Sequence, residues 1–279
     1  MGGVSNAWPT PTPPGWFPDP RGGIALRYWD GVRWTDRTAV PAGAVPRPPE
    51  PFRTIPVQAA LIMLAATAVS LIADKYIVNA LVRFRWPIAV YVVIAAVVGY
   101  LPLVLVCRAV VDRFAAGSLR NDIGLAFRTV DLGWGPVTWL ASLAAQIVVA
   151  IIILTLHIPL VSNTEGVSKL SGNRTYIIAF ALLAVLVAPI VEEIVFRGVI
   201  LRGLCSRLPP WLAIGVQGVL FGAAHVDPVR GVGNIGLVMV LSAVGTVLGG
   251  AAYLTKRLAP TMIAHALINT VAVIFTLAR

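Results

Sequence analysis

Long apolar runs separated by short polar segments make up most of the chain after residue 53. Most of these runs approach the roughly 20 residues that an α-helix needs to cross a lipid bilayer. The pattern therefore predicts an all-α polytopic membrane bundle of about seven transmembrane helices. The predicted spans are Ile55–Ala73, Pro87–Cys107, Val137–Ile158, Tyr176–Arg202, Trp211–Val226, Ile235–Leu254 and Ala259–Leu277. The fifth run is the shortest, and a re-entrant segment there would change the count to six or eight.

The segment before these runs has a different pattern, rich in proline and tryptophan. Asp30-Gly31, a dipeptide typical of a hairpin turn, lies there between aromatic and β-branched residues. We therefore predict a small Trp-rich module of two or three β-strands at residues 1–38, and a stiff proline-rich linker at residues 39–53. The aromatic residues expected to pack together in the module are Trp16, Tyr28, Trp29 and Trp34.

Composition supports a membrane protein and excludes a disordered chain. Hydrophobic residues make up 58% of the sequence, mean hydropathy is +0.84, and charged residues are 12%, about half the roughly 25% of soluble domains. The net charge of +10 does not indicate nucleic-acid binding, because the basic residues lie singly or in pairs beside apolar runs. With the N-terminus inside, more of them fall in inside loops than in outside loops, which predicts a cytoplasmic N-terminus.

Two adjacent glutamates, Glu192 and Glu193, lie within the fourth predicted span. An ionisable side chain in lipid costs about 2.5–3.5 kcal/mol, so such residues indicate function by default. Glu193 precedes Arg197 by four residues, the favourable orientation for a helical ion pair. Glu192 points about 100° away, which leaves it free for chemistry. The alternative is that both glutamates merely lie at a submerged helix end beside Arg197 and Arg202.

Two histidines extend this polar set to other spans. His225 lies at the end of the fifth span, one helical turn after Phe221, and His265 precedes Asn269 by one turn in the last span. Polar groups in an apolar bundle must contact one another or water. We therefore expect them to meet Glu192 in a polar cavity among the fourth, fifth and last spans.

Three short motifs carry a resemblance to a known family. They are Glu192-Glu193-x-x-x-Arg197, Phe221-x-x-x-His225 and His265-x-x-x-Asn269. In this order, on separate apolar helices, they are similar to the motifs of the CPBP family, intramembrane proteases of the CAAX-protease and Abi type. The resemblance covers about residues 133–279, the expected protease core, and leaves residues 54–132 as two membrane helices and a basic loop. The segment from Gly15 to Thr38 resembles a short bacterial domain of unknown function.

The resemblance implies an intramembrane endopeptidase in the cell membrane that cleaves a peptide or membrane-protein substrate. It implies that Glu192 is the catalytic glutamate and that His225 helps it to activate water. It further implies that His265 and Asn269 hold the oxyanion. The residues that match its supporting positions are Glu193, Arg197 and Phe221. The only partners expected besides the substrate are the lipids of the bilayer, with no nucleic acid.

Three alternatives stay open at this point. Glu192, His225 and His265 would make a His2Glu set, the pattern of a catalytic zinc site, although the chain has no HExxH motif. No cofactor follows from the sequence beyond this zinc alternative. A non-catalytic membrane scaffold or bacteriocin-immunity protein is the second alternative. A transporter with Glu192 as its cation site is the third, and the absence of an inverted repeat argues against it.

The depth of the catalytic pair in the bilayer sets a geometric condition. If the fourth span ends at the inner face near Arg197 and the fifth starts there near Trp211, Glu192 lies near that face. His225 then lies about 21 Å from it, at about 1.5 Å per residue over 14 residues. The two could then meet only through one of three distortions. The fourth helix would extend well beyond Arg202, the turn at residues 203–210 would be sunk into the protein, or the fifth span would be tilted or re-entrant.

Overall fold

The chain forms two compact units, residues 1–51 and residues 52–279. The computed structural model describes residues 13–22, 25–40, 52–161 and 172–278, so most of the predicted linker lies outside the described residues. The boundary placed at residue 133 by sequence stays a prediction.

The first unit contains a three-stranded antiparallel sheet in the order β1-β2-β3, as predicted. The strands are β1 (Gly15–Pro18), β2 (Leu26–Trp29) and β3 (Trp34–Ala39). Trp16 packs edge-on against Tyr28 at 5.3 Å, and Trp29 packs against Trp34 at 5.2 Å. Successive residues of a strand point to opposite faces, so these aromatic pairs lie on the two faces of the sheet.

The predicted hairpin turn joins β2 to β3. Gly31 has a φ of +98°, a conformation that favours glycine. The Asp30 carboxylate accepts hydrogen bonds from the backbone N–H groups of Val32 and Arg33. These donors, that of Arg33 above all, hold the pKa of the Asp30 carboxyl below its usual value. The sequence Asp-Gly thus supplies both the acceptor and the backbone freedom that the turn needs.

The second unit is a helical bundle. Its helices are α1 (Val57–Leu81), α2 (Ile88–Phe114), α3 (Leu119–Asp122), α4 (Asp131–Thr155), α5 (Arg174–Leu204), α6 (Pro210–Ala223), α7 (Asn234–Thr255) and α8 (Ala259–Leu277). Within the described residues, six of them are long and apolar enough to cross a membrane: α1, α2, α4, α5, α7 and α8. The fifth predicted span is α6, an apolar helix of only 14 residues. The prediction of a polytopic α-helical bundle is confirmed.

Helix α5 does not end near Arg197, which was the condition that would have kept Glu192 and His225 apart. It continues seven residues past Arg197 to Leu204, close to the predicted end at Arg202, and Arg197 is fully buried rather than placed at a membrane surface. Glu192 therefore lies about 18 Å from the end of α5, and His225 lies about 22 Å beyond the start of α6, at 1.5 Å per residue. The two residues reach similar depths.

Two stretches of α5 are π-helical, Leu183–Val187 and Ile194–Ile200. They flank the α-helical turns Ala188–Glu193, which carry both glutamates. The i→i+5 pattern of a π-helix is rare and often occurs at functional sites, because it shifts side chains relative to a regular helix. The glutamates are thus displayed on a short α-helical segment between two irregular ones.

One buried arginine, Arg202, joins the end of α5 to the end of α7 and to the segment before α1. Arg202 donates to the carbonyl oxygens of Arg53 at 2.9 Å and Lys256 at 3.1 Å, and its guanidinium lies 4.3 Å from the centre of the Phe52 ring. Arg202 is only 2% exposed, so it connects protein segments rather than anchoring a helix end in solvent.

Glycines allow α6 and α7 to approach closely. A Cβ atom at Gly218 would lie 2.8 Å from the carbonyl oxygen of Ser242 and 2.9 Å from the backbone nitrogen of Thr246. We expect Gly218→Ala to lower the free energy of unfolding by about 1–3 kcal/mol, the usual cost of overpacking, as measured by denaturant titration in mixed micelles.

Gly215 provides the control on the same helix, because a Cβ there would meet nothing within 4 Å. Gly215→Ala should leave stability unchanged or raise it, since alanine favours a helix over glycine by about 1 kcal/mol. Equal stabilities of the two variants would contradict the close packing of α6 on α7.

Candidate active site

The carboxylate of Glu192 lies between three side chains from three other parts of the bundle. The hydroxyl of Tyr100, from α2, donates to Glu192 Oε1 at 2.9 Å. The second oxygen, Oε2, lies 4.0 Å from Nε2 of His225 and 3.8 Å from Nε2 of His265. The structure thus brings the glutamate and both predicted histidines together.

Glu193 and Arg197 form the predicted ion pair, with 2.7 Å between Glu193 Oε1 and Arg197 Nη1 and no exposure of either side chain. Arg197 also donates to the carbonyl oxygen of Gly245, in α7. Nδ1 of His265 lies 2.9 Å from Glu193 Oε1. Because an ionised carboxylate only accepts hydrogen bonds, Nδ1 carries the hydrogen in this contact. The ion pair therefore fixes the orientation of the His265 ring.

His225 lies two residues beyond the last residue of α6 rather than inside the helix. Its Nδ1 is 2.8 Å from the carbonyl oxygen of Phe221, so Nδ1 donates and Nε2 of the neutral ring is left as an acceptor. The Phe221 ring contacts the rings of both histidines, with centroid distances of 4.9 Å to His225 and 5.7 Å to His265. Phe221 therefore separates and supports the two imidazoles.

Asn269 approaches the site from α8. Its side chain reaches a carbonyl group of α5 that has no hydrogen-bond donor from α5 itself. Its Nδ2 donates to the carbonyl oxygen of Ala184 at 2.7 Å. The N–H of Ala188 bonds to Leu183 in the π-helical stretch, and Pro189, five residues after Ala184, has no N–H. The free carbonyl of Ala184 thus holds the Asn269 amide by one of its two hydrogens.

Two cavities meet at the Glu192 side chain, of about 250 Å³ and about 280 Å³. Tyr100, Glu192 and His225 line both of them. The first extends towards Asp74, between α1 and α2, and the second contains His265 and Asn269. A substrate segment that crosses from one cavity to the other would pass the carboxylate.

No three His, Cys, Asp or Glu side chains are arranged to hold a metal ion within the described parts of the chain. Zinc ligands lie about 2.0–2.2 Å from the ion, which places tetrahedral ligand atoms roughly 3.3–3.5 Å apart. Glu192 Oε2 is farther than this from both histidine nitrogens. The residues present do not fit a zinc site in this arrangement.

Sequence reasoning missed Tyr100 and Asp74. Tyr100 lies within the second predicted span and Asp74 lies directly after the first, and both are outside the three motifs. An acidic residue at the end of a span is ordinary, and a tyrosine in a membrane helix is too common to indicate a site by itself.

The fold and site define a multi-pass membrane protein with ionisable groups inside its bundle. Residues 174–271 match the family model of the Rce1-like type II CAAX prenyl endopeptidases, and residues 14–50 match a model of a protein domain of unknown function, DUF2510. Searches of curated proteins and of solved structures found no match. The first match confirms the predicted resemblance and supports an intramembrane endopeptidase with a peptide substrate. The cytoplasmic location of the N-terminus stays a prediction.

Proposed function

We propose that this protein is an intramembrane endopeptidase in which Glu192 and His225 activate the water that attacks the peptide bond. The observation that carries this proposal is the 4.0 Å separation of Glu192 Oε2 and His225 Nε2. That distance is too long for a direct hydrogen bond. A single water about 2.8 Å from each atom would bridge them, with an angle of about 90° at its oxygen.

The two groups can both accept a hydrogen from that water. The ionised carboxylate is an acceptor, and the Phe221 carbonyl oxygen keeps the hydrogen of His225 on Nδ1, which leaves Nε2 with a lone pair. Placing a base within reach of the reacting proton is the geometric requirement of general base catalysis.

The proton balance of the reaction follows from these roles. Glu192 takes one proton from water while the water oxygen forms a bond to the carbonyl carbon, and the carbonyl oxygen becomes an oxyanion. When the tetrahedral intermediate collapses, the C–N bond breaks and the departing nitrogen takes the proton from Glu192. No covalent enzyme intermediate is needed.

The oxyanion is assigned to the side of the cavity that holds His265 and Asn269. Asn269 has a second amide hydrogen besides the one given to Ala184. Nε2 of His265 can donate only when the ring is doubly protonated, because Nδ1 already donates to Glu193. Preorganised donors of this kind stabilise the transition state strongly in a site of low dielectric constant.

Removal of metal ions tests the zinc alternative. Because the ligand spacing does not fit zinc, we expect purified protein to keep its activity in a strong chelator and to contain less than one metal ion per chain. The measurement is cleavage of an internally quenched peptide library in detergent micelles, together with elemental analysis. Loss of cleavage that added zinc restores would favour the zinc mechanism.

The function itself is tested by comparing the membrane proteins of cells that produce the wild-type chain or Glu192→Gln. Labelling of new peptide N-termini should show cleavage products with the wild type, while the uncut substrate accumulates with the variant. Asp112→Asn is the matched control, because it removes an exposed carboxylate that pairs with Arg108 away from both cavities. Identical patterns for all three chains would support a non-catalytic scaffold instead.

A further inference from the structure

Tyr100 is the only contact to the Glu192 carboxylate at hydrogen-bond distance among the described residues. It lies in α2, which is outside the segment that matches the endopeptidase family. It is also 12 residues from the start of α2, or about 18 Å, which corresponds to the middle of a bilayer. A tyrosine hydroxyl at that depth needs a polar partner, and Glu192 provides it.

We propose that Tyr100 is a positioning residue, which holds one oxygen of Glu192 so that the other faces the attacking water. This inference rests on the function proposed above and extends its site to a helix that the family match does not include.

The torsion of the carboxylate makes such a contact necessary. The last side-chain torsion of glutamate is broad and roughly two-fold, so packing alone does not fix the plane of its two oxygens. Tyr100 donates to Oε1 at 2.9 Å. Oε2 is then the oxygen that faces Nε2 of His225 and Nε2 of His265. Without the hydroxyl, either oxygen could rotate away from the water that bridges to His225.

The position of the ring between the two cavities supports the same role. Tyr100 and Glu192 both line each cavity, so the hydrogen bond between them forms part of the wall where the cavities meet. The charged and titratable groups that line these cavities are Asp74, Tyr100, Glu192, His225, Arg230 and His265. Of these, Tyr100 is the one whose neutral O–H can donate to Glu192 without adding charge.

The test is Tyr100→Phe, which keeps the ring and removes only the hydroxyl. A hydrogen bond to a charged group is among the stronger ones in proteins, so we expect kcat to fall on the order of 10- to 100-fold. KM should change less than about threefold, since the ring that borders the cavities remains. The measurement is the kinetics of cleavage of an internally quenched peptide library in detergent micelles, supported by labelling of new N-termini in membranes.

Tyr91→Phe is the matched control on the same helix. The Tyr91 hydroxyl contacts the backbone of Trp86 and Leu81 at the turn between α1 and α2, away from both cavities. This variant should keep kcat within about twofold of wild type. A double variant, Glu192→Gln with Tyr100→Phe, should be no less active than Glu192→Gln alone, because Tyr100 acts through Glu192.

Several results would overturn the inference. They are an unchanged kcat in Tyr100→Phe, an equal loss in Tyr91→Phe, an increase confined to KM, or an additional loss in the double variant. If Glu192→Gln is inactive and Tyr100→Phe is fully active, only the role of Tyr100 fails. If Glu192→Gln is as active as the wild type, or if the wild type cleaves nothing, the proposed function fails with it.

Discussion

Replacing Glu192 with glutamine will lower kcat by about 10²- to 10⁴-fold, the range attributed to general acid–base catalysis. Replacing His225 with glutamine will lower kcat by a factor in the same range. Glutamine keeps the size of the Glu192 side chain and its contact with Tyr100 but takes no proton from water. At residue 225 it removes the ring nitrogen that faces Glu192 at 4.0 Å. The measurement is kcat on an internally quenched peptide library in detergent micelles, with thermal unfolding to verify that each variant is folded.

The double variant distinguishes one catalytic unit from two separate effects. Residues that act together on one water lose their effect together, so Glu192→Gln with His225→Gln should be about as slow as either single variant. His157→Gln is the control, because this histidine lies after the end of α4 and lines neither cavity. Losses that multiply in the double variant would contradict a shared water.

Replacing Arg197 with methionine will lower the free energy of unfolding by about 3–5 kcal/mol, the cost of leaving one member of a buried ion pair alone. Arg197 and Glu193 are both completely buried, and no solvent is available to the remaining carboxylate. Arg197 also bridges α5 to the Gly245 carbonyl oxygen in α7, so the variant loses a contact between helices as well. Denaturant titration in mixed micelles measures the change.

The chain offers a control with the same spacing in an exposed position. Arg108 and Asp112 are also four residues apart and in contact, but about half of each side chain is exposed. Arg108→Met should therefore change the free energy of unfolding by less than about 1 kcal/mol. A second chain, with Glu193→Gln and Arg197→Met together, should recover part of the lost stability, because no charge is then left unpaired. Equal effects of the two single arginine variants would show that burial of the pair is unimportant.

The ion pair also explains why the two adjacent glutamates have different surroundings. Glu193 points into protein and holds Arg197 and His265, whereas Glu192 points into the cavities. The sequence predicted this division from the 100° step between neighbouring helical residues. It did not predict that Glu193 would orient His265, because no local pattern connects residues 72 positions apart.

Much of the site was predictable because each motif is local. One helical turn separates the residues within a motif, and helix geometry places them on one face. The depth of Glu192 and His225 within the helical bundle was harder to predict. Arg197 and Arg202 resemble the basic residues that flank spans, but both are buried, and the helix passes beyond them. A charge that is neutralised inside the protein does not mark a membrane boundary, and hydropathy alone does not distinguish the two situations.

The sequence by itself determined that the chain is a helical membrane protein and where its long apolar segments lie, and it predicted four polar groups that line one cavity. These features follow from the energy of apolar and polar groups in lipid, which acts on each segment separately. Only the tertiary structure decided that Tyr100 contacts Glu192, that Asn269 binds the free carbonyl of Ala184, and that the glutamate and histidine reach one depth. Those contacts join helices that are distant in sequence, and they depend on how far each helix extends and on irregular turns within α5.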